Sequence, residues 1–296
     1  MAFRIKPGEE LPPAVKRMAR AELRDAGRAI GDPRRPLAER IHDARTAIKK
    51  VRALDRLVRS AVGRPARRAD RRLRKVAHAV SGARDAEVVL KTFDDFVADL
   101  DGRSSKPLAG ARRDLAARLR ASAGPLKRGG KVKRLRARLA RERRKVKRWV
   151  PGADRWRAIG PGFEQGYRRA RDAMATAYRS ESGEDFHAWR RASKTHRHQV
   201  HALAPLAPGI LNPRLKTLDR LGDLLGDEHD LTVLEQTIRD EKSCFPDERQ
   251  RDRLLRLVGN RRLRLRRRAQ SLGRALFAVR PSVLREHVKR GFRGRS

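Results

Sequence analysis

Between Ile41 and Arg56 the chain carries two stripes at helical spacing, one basic and one apolar. His42, Arg45, Lys49, Arg52 and Arg56 are spaced 3, 4, 3 and 4. On a helix turning 100° per residue they fall within an arc of roughly 80°. Ile41, Ala44, Ile48 and Val51 form the neighbouring stripe. Apolar side chains at that spacing go to a core; the basic stripe must face something else.

The pattern returns 145 residues later. His42, Arg45, Lys49 and Arg52 map onto His187, Arg190, Lys194 and Arg197, and Arg56 maps onto His201. The register continues downstream without a gap, with Leu73 on Leu218, Asp85 on Asp230 and Val88 on Val233. Two basic-faced helices, each followed 43 residues later by an aspartate, indicate an internal duplication.

The rest of the chain reads as helices. Leucine, alanine and arginine dominate, apolar residues recur at helical spacing, and β-branched alternation is nearly absent. After a lead-in at 1–11, helices are expected over about 12–30, 36–60, 66–80, 86–100, 108–122 and 130–150. Gly31-Asp32-Pro33 and Gly63-Arg64-Pro65 are the first breaks. Asp85 suits the start of the 86–100 helix as a cap or first-turn carboxylate. Pro151-Gly152 and Gly160-Pro161-Gly162 mark a linker at 151–162 between halves at 12–150 and 163–285. In the second half a helix to about 180 precedes the basic helix at 184–203. A proline-rich break at 204–212 leads to helices at 215–225, ending at Gly226, and at 230–240. A long arginine-rich helix follows at about 246–279, and 281–296 reads as a short helix and basic tail.

The 76 Lys and Arg residues outnumber the 35 Asp and Glu, for a net charge of +41. That excess exceeds what solubility requires and points to a polyanion: nucleic acid, an anionic membrane or a phosphate polymer. A generally basic surface is the plainer reading of the same numbers. The one cysteine, Cys244, allows neither an intramolecular disulfide nor a cysteine metal site. No signal-like or membrane-spanning apolar run is present, so the expected location is cytoplasmic.

Positive signs of catalysis are missing. The chain has no phosphate-cradling GxxxxGK[ST] motif, no GxSxG and no convincing acid–base carboxylate pair. His196, His198 and His201, with His187, invite a metal reading, but their spacing is not the i, i+4 pair of helical zinc sites. The expectation is therefore a non-enzyme with no cofactor and no metal.

The paired patterns resemble the conserved histidine α-helical domain family, CHAD. The likeness rests on Ile41-His42-Asp43-Ala44-Arg45 with Lys49 and Arg52, then Gly82-Ala83-Arg84-Asp85 with Val88. In the second half it rests on Phe186-His187 with Arg190, Lys194 and Arg197, then Leu221-Gly222 and Gly226-Asp227-Glu228-His229-Asp230 with Val233. The resemblance implies an all-α fold of two four-helix bundles related by a pseudo-twofold axis. It also implies a basic central channel that binds inorganic polyphosphate, on bacterial polyphosphate granules. Two positions depart between the copies: Arg56 becomes His201, and Arg84 becomes His229.

Polyphosphate offers regularly spaced charge and no bases. Basic residues 3–4 apart rise about 5 Å per step on a helix, a spacing that suits a linear phosphate chain. Arginine adds bidentate hydrogen bonds and lysine a point charge. Expected contacts are Arg45, Lys49, Arg52, Arg190, Lys194 and Arg197, with Arg56, Arg84 and His201 as further candidates. His42 and His187 admit two readings: phosphate hydrogen bonding with protonation favoured by the anion, or orientation of a neighbouring helix. Asp85 and Asp230 read as structural caps or arginine partners.

Non-specific nucleic-acid binding is the rival function. The run Arg261-Arg262-Leu263-Arg264-Leu265-Arg266-Arg267-Arg268 could supply it, although such a run is usually a solvated face. Aromatic residues make up only 4% of the chain, which is poor provision for stacking on bases.

Overall fold

The computed structural model describes residues 3–6, 8–78, 82–100, 108–122, 130–149 and 155–293. Every regular element among them is helical. The helices are α1 (Leu11–Gly31), α2 (Leu37–Leu57), α3 (Arg59–Val62), α4 (Arg64–His78), α5 (Gly82–Ala98) and α6 (Leu108–Ser122). They continue with α7 (Gly130–Lys145), α8 (Arg155–Ser180), α9 (Gly183–Leu203), α10 (Pro208–Asp240), α11 (Glu248–Leu276) and α12 (Pro281–Arg293).

The two basic-striped stretches are α2 and α9, and they pack against each other. α2 also packs on α1 and α4, and α9 on α8 and α10. Ile41, Ile48, Val51 and Leu54 of α2 are completely or almost completely buried. Burial of side chains this size stabilises by about 1.5–3 kcal/mol each, enough to fix which face of α2 looks inward. α9 contributes Phe186, Trp189, Val200 and Leu203 to the same core. A smaller core joins α5 and α6 to α10 and α11 through Val89, Phe93, Leu115, Leu234, Phe245 and Val258. It draws on chain from either side of residues 151–162.

The break expected at 204–212 is confined to a 3-10 turn at Ala204–Leu206 and to Ala207, and two other expected breaks are not breaks. α10 runs unbroken from Pro208 to Asp240, through residues 208–212 and through Gly226. Pro208 sits at its first turn, where the missing N–H costs nothing. A glycine inside a helix costs about 1 kcal/mol, which buried Leu221, Leu225, Leu231 and Leu234 outweigh. Residues 155–162, expected as linker, belong to α8, with Pro161 inside the helix. Gly162 serves a close approach rather than a turn: a Cβ there would lie 2.0 Å from the Leu57 carbonyl oxygen. Gly63, by contrast, does turn the chain, with φ at +69°.

The lead-in is irregular over its described residues but is anchored to the core. Phe3 and Ile5 are buried, and Ile5 N–H donates to the Ala202 carbonyl at 3.1 Å on α9. α4 is fixed by ion pairs as well as packing. Arg72 clamps the buried Glu142 of α7 at 2.6 and 2.8 Å.

Candidate functional site: a basic groove between α2 and α9

The facing stripes of α2 and α9 border a cavity of about 400 Å³, with α4 and α8 as further walls. Lys49, Arg52 and Arg56 enter from α2, and Arg190, Arg191 and Lys194 from α9. Arg74 of α4 and Arg169 of α8 complete the basic lining, with Gln165, Thr195, His198 and Gln199 between them. Among the described residues no carboxylate lines the cavity. Eight cations around one opening repel each other, a cost repaid when an anion enters.

The helices hold these groups in place. Arg52 donates to Asp70 at 2.7 Å, Arg59 donates to its other oxygen at 3.0 Å, and Arg56 lies 3.6 Å away. Burial alone would raise the Asp70 pKa, but Arg56, Arg52 and Arg59 together hold it below the usual carboxylate range. Arg56 also reaches across to α9, donating to Thr195 Oγ1 at 3.1 Å. Burial, followed by the charge of Arg190, pulls the Lys194 ammonium down to about 8.

The other expected residues whose side chains are described lie outside the cavity lining. Arg45 donates to the Ala77 carbonyl at 3.5 Å. Arg197 is paired with Asp219 of α10. His42 is exposed. His187 stacks on His229 with ring centroids 4.1 Å apart and the two Nδ1 atoms 3.0 Å apart. Burial and then Arg191, Arg190 and Lys49 lower His187 to about 4; burial and then His187 lower His229 to about 3. Both imidazoles are therefore neutral near pH 7, so one Nδ1 donates to the other. His201 lies 5.9 Å from the Phe3 ring, and burial lowers it to about 4. The side chains of Arg84 and Asp85 lie outside the described residues.

His196 and His198 are buried among rings. His196 meets Phe163 and Tyr167 at 5.2 and 5.5 Å, and His198 meets Phe3 at 6.3 Å. Among the described residues no group of three or more His, Cys, Asp or Glu could hold a metal ion. Nor is any described helix long and apolar enough to cross a membrane. The arginine run at 261–268 divides. Arg261 pairs with Asp99, Arg262 with Glu228 and Glu235, and Arg266 with Glu228 at 2.7 Å. Arg264, Arg267 and Arg268 are exposed.

Sequence reasoning missed Arg74, Arg169, Arg191, Gln165 and Thr195. The signal for the α8 wall was present: Gly162, Gly166 and Arg169 share one helical face. A Cβ on Gly166 would lie 1.9 Å from Gln199 Oε1, so small residues bring α8 close enough for Arg169 to reach the groove.

The CHAD domain family model matches residues 32–239, more than half of the chain and both striped helices. Among solved structures, the crystal structure of the CHAD domain from the plant Ricinus communis matches with a TM-score of 0.57 at 16% identity. The match covers 98% of this chain and 95% of that one. No curated protein matches the chain. With helices alone among its described regular elements, paired basic stripes at its centre and a family match across both, the chain belongs to the CHAD domain family.

Proposed function

We propose that this chain binds inorganic polyphosphate in the groove between α2 and α9, without catalysing a reaction on it. The observation that carries the reading is the convergence of Lys49, Arg52, Arg56, Arg190 and Lys194 with Arg74, Arg169 and Arg191 in a lining that, among the described residues, contains no carboxylate. Such a lining binds phosphate oxygens through charge-assisted hydrogen bonds. Among the described residues it offers no Phe, Tyr or Trp for stacking on bases, which favours a polymer of bare phosphate over a nucleic acid. Binding of this kind would place the protein on polyphosphate granules.

A competition titration tests the reading. Labelled long-chain polyphosphate is displaced by unlabelled polyphosphate or by duplex DNA, matched in total charge, at one fixed salt concentration, because counterion release shifts affinities strongly with salt. DNA is expected to compete at least tenfold more weakly. Equal competition would mean a generic polycation and would bring the nucleic-acid reading forward.

A further inference from the structure

Outside the groove, α4 carries a second arginine row. Arg64, Arg67, Arg71 and Arg74 are spaced 3, 4 and 3 and are all exposed. On the helix they occupy an arc of roughly 80° and span about 15 Å of its axis. None of the four has a carboxylate within salt-bridge distance among the described residues. Asp70 lies on the same helix but is turned to Arg52 and Arg59. Arg72 is taken by Glu142. The row is thus un-neutralised, and its end at Arg74 is already part of the groove lining.

The matching face of the second half is different. Adding 145 turns Arg64, Arg67, Arg71 and Arg74 into Gly209, Asn212, Lys216 and Asp219 of α10. Asp219 is occupied by Arg197, and exposed Asp223 follows one turn later. The α4 face thus presents four cations, whereas the corresponding α10 positions, none of which lines the cavity, present one lysine and, beside the paired Asp219, the exposed Asp223.

We propose that polyphosphate leaves the groove along the outer face of α4, and that Arg64, Arg67 and Arg71 bind the emerging chain. The inference rests on the polyphosphate reading of the groove and adds a direction to it. The occupant is the continuation of the same polymer because the row is continuous with the groove at Arg74. A flexible single chain can follow a straight row throughout its length. A duplex backbone curves away from it, and the row holds no aromatic or amide side chain to read bases. The protein should therefore distinguish long chains from short ones.

The test uses the full chain and two probes, tripolyphosphate and long-chain polyphosphate. The row variant is Arg64→Gln with Arg67→Gln and Arg71→Gln. The control is Arg249→Gln with Arg256→Gln and Arg264→Gln, exposed on α11, which does not line the groove. The row variant should hold tripolyphosphate within twofold of the unmodified protein and lose at least tenfold for the long chain. Its log–log salt slope for the long chain should fall by about 2, from three contacts at roughly 0.7 each. The control should lose less than threefold for either probe. Equal losses in row variant and control, or equal losses for both probes, would overturn the outlet. Failure of the groove reading itself looks different: Lys49→Gln with Lys194→Gln would then leave both probes unaffected.

Discussion

Arg56 of α2 donates through Nη1 to Thr195 Oγ1 of α9 at 3.1 Å, so the two striped helices are tied directly across the groove. The same arginine lies 3.6 Å from Asp70, which also holds Arg52 and Arg59. One carboxylate behind the lining thus orients three guanidinium groups without entering the cavity. The groove is prepared for an anion before one arrives, which lowers the ordering cost of binding.

Removing that carboxylate should separate stability from affinity. Asp70→Asn leaves three clustered arginines uncompensated and should lower the stability of the ligand-free protein by about 3 kcal/mol. Polyphosphate takes over the missing negative charge, so saturating ligand should recover most of the loss. Thermal melts of both proteins with and without polyphosphate read this directly. A variant that stayed equally destabilised with ligand would contradict the arrangement.

Affinity should weaken in alkali. Lys194 titrates at about 8, below an ordinary lysine, because it is buried and beside Arg190. As pH rises through about 8 the ammonium loses its proton, and one cation leaves the groove. A bound phosphate favours the charged form, so binding near pH 8 takes up a proton. Calorimetry in buffers of different ionisation enthalpy should detect that uptake. Lys194→Arg should abolish it and flatten the profile between pH 7 and 9; an unchanged profile would count against Lys194 as a groove cation.

The α8 wall depends on glycine. Gly162→Ala places a methyl 2.0 Å from the Leu57 carbonyl oxygen, a backbone atom that cannot swing away. Overpacking of this kind should cost about 1–3 kcal/mol in urea denaturation and weaken polyphosphate binding by displacing Arg169. Gly226→Ala meets open space and should stabilise by about 0.4–1 kcal/mol.

Asp55 makes stability depend on pH. It is fully buried, neither oxygen has a hydrogen bond, and burial followed by the charge of Asp70 raises its pKa well above the usual carboxylate range. The fold favours the neutral acid, so the contribution of Asp55 is complete below the unfolded value of about 3.9. It is lost as pH rises from there to the folded pKa. The stability advantage of Asp55→Asn over the unmodified protein should grow by about 1.4 kcal/mol per pH unit across that window, then level off. A difference independent of pH would contradict a raised folded pKa.

Much of this architecture is legible in the residues, for identifiable reasons. The α2 and α9 stripes show because burial of Ile41, Ile48 and Val51 imposes the helical period that sets the basic face. Periodicity places a residue on a face but does not choose its partner. Arg45 and Arg197 share the stripe with Lys49 and Lys194, yet one meets the Ala77 carbonyl and the other Asp219. Gly160-Pro161-Gly162 carries a turn signature, and only the approach of Leu57 shows that Gly162 serves helix packing. Arg74 lies in a basic helix whose sequence does not say which arginine touches the groove.

The central claim is that phosphate binds to these lining cations and not to positive charge in general. Its most direct test is calorimetric titration of polyphosphate into two double variants at one fixed salt concentration. Lys49→Gln with Lys194→Gln removes one groove cation from each striped helix. Arg143→Gln with Arg144→Gln removes the same charge from the exposed face of α7. The groove variant should lose at least a hundredfold in affinity, from two charge-assisted contacts of about 1.5–3 kcal/mol each, while the α7 variant loses less than threefold. Equal losses in the two variants would contradict the account.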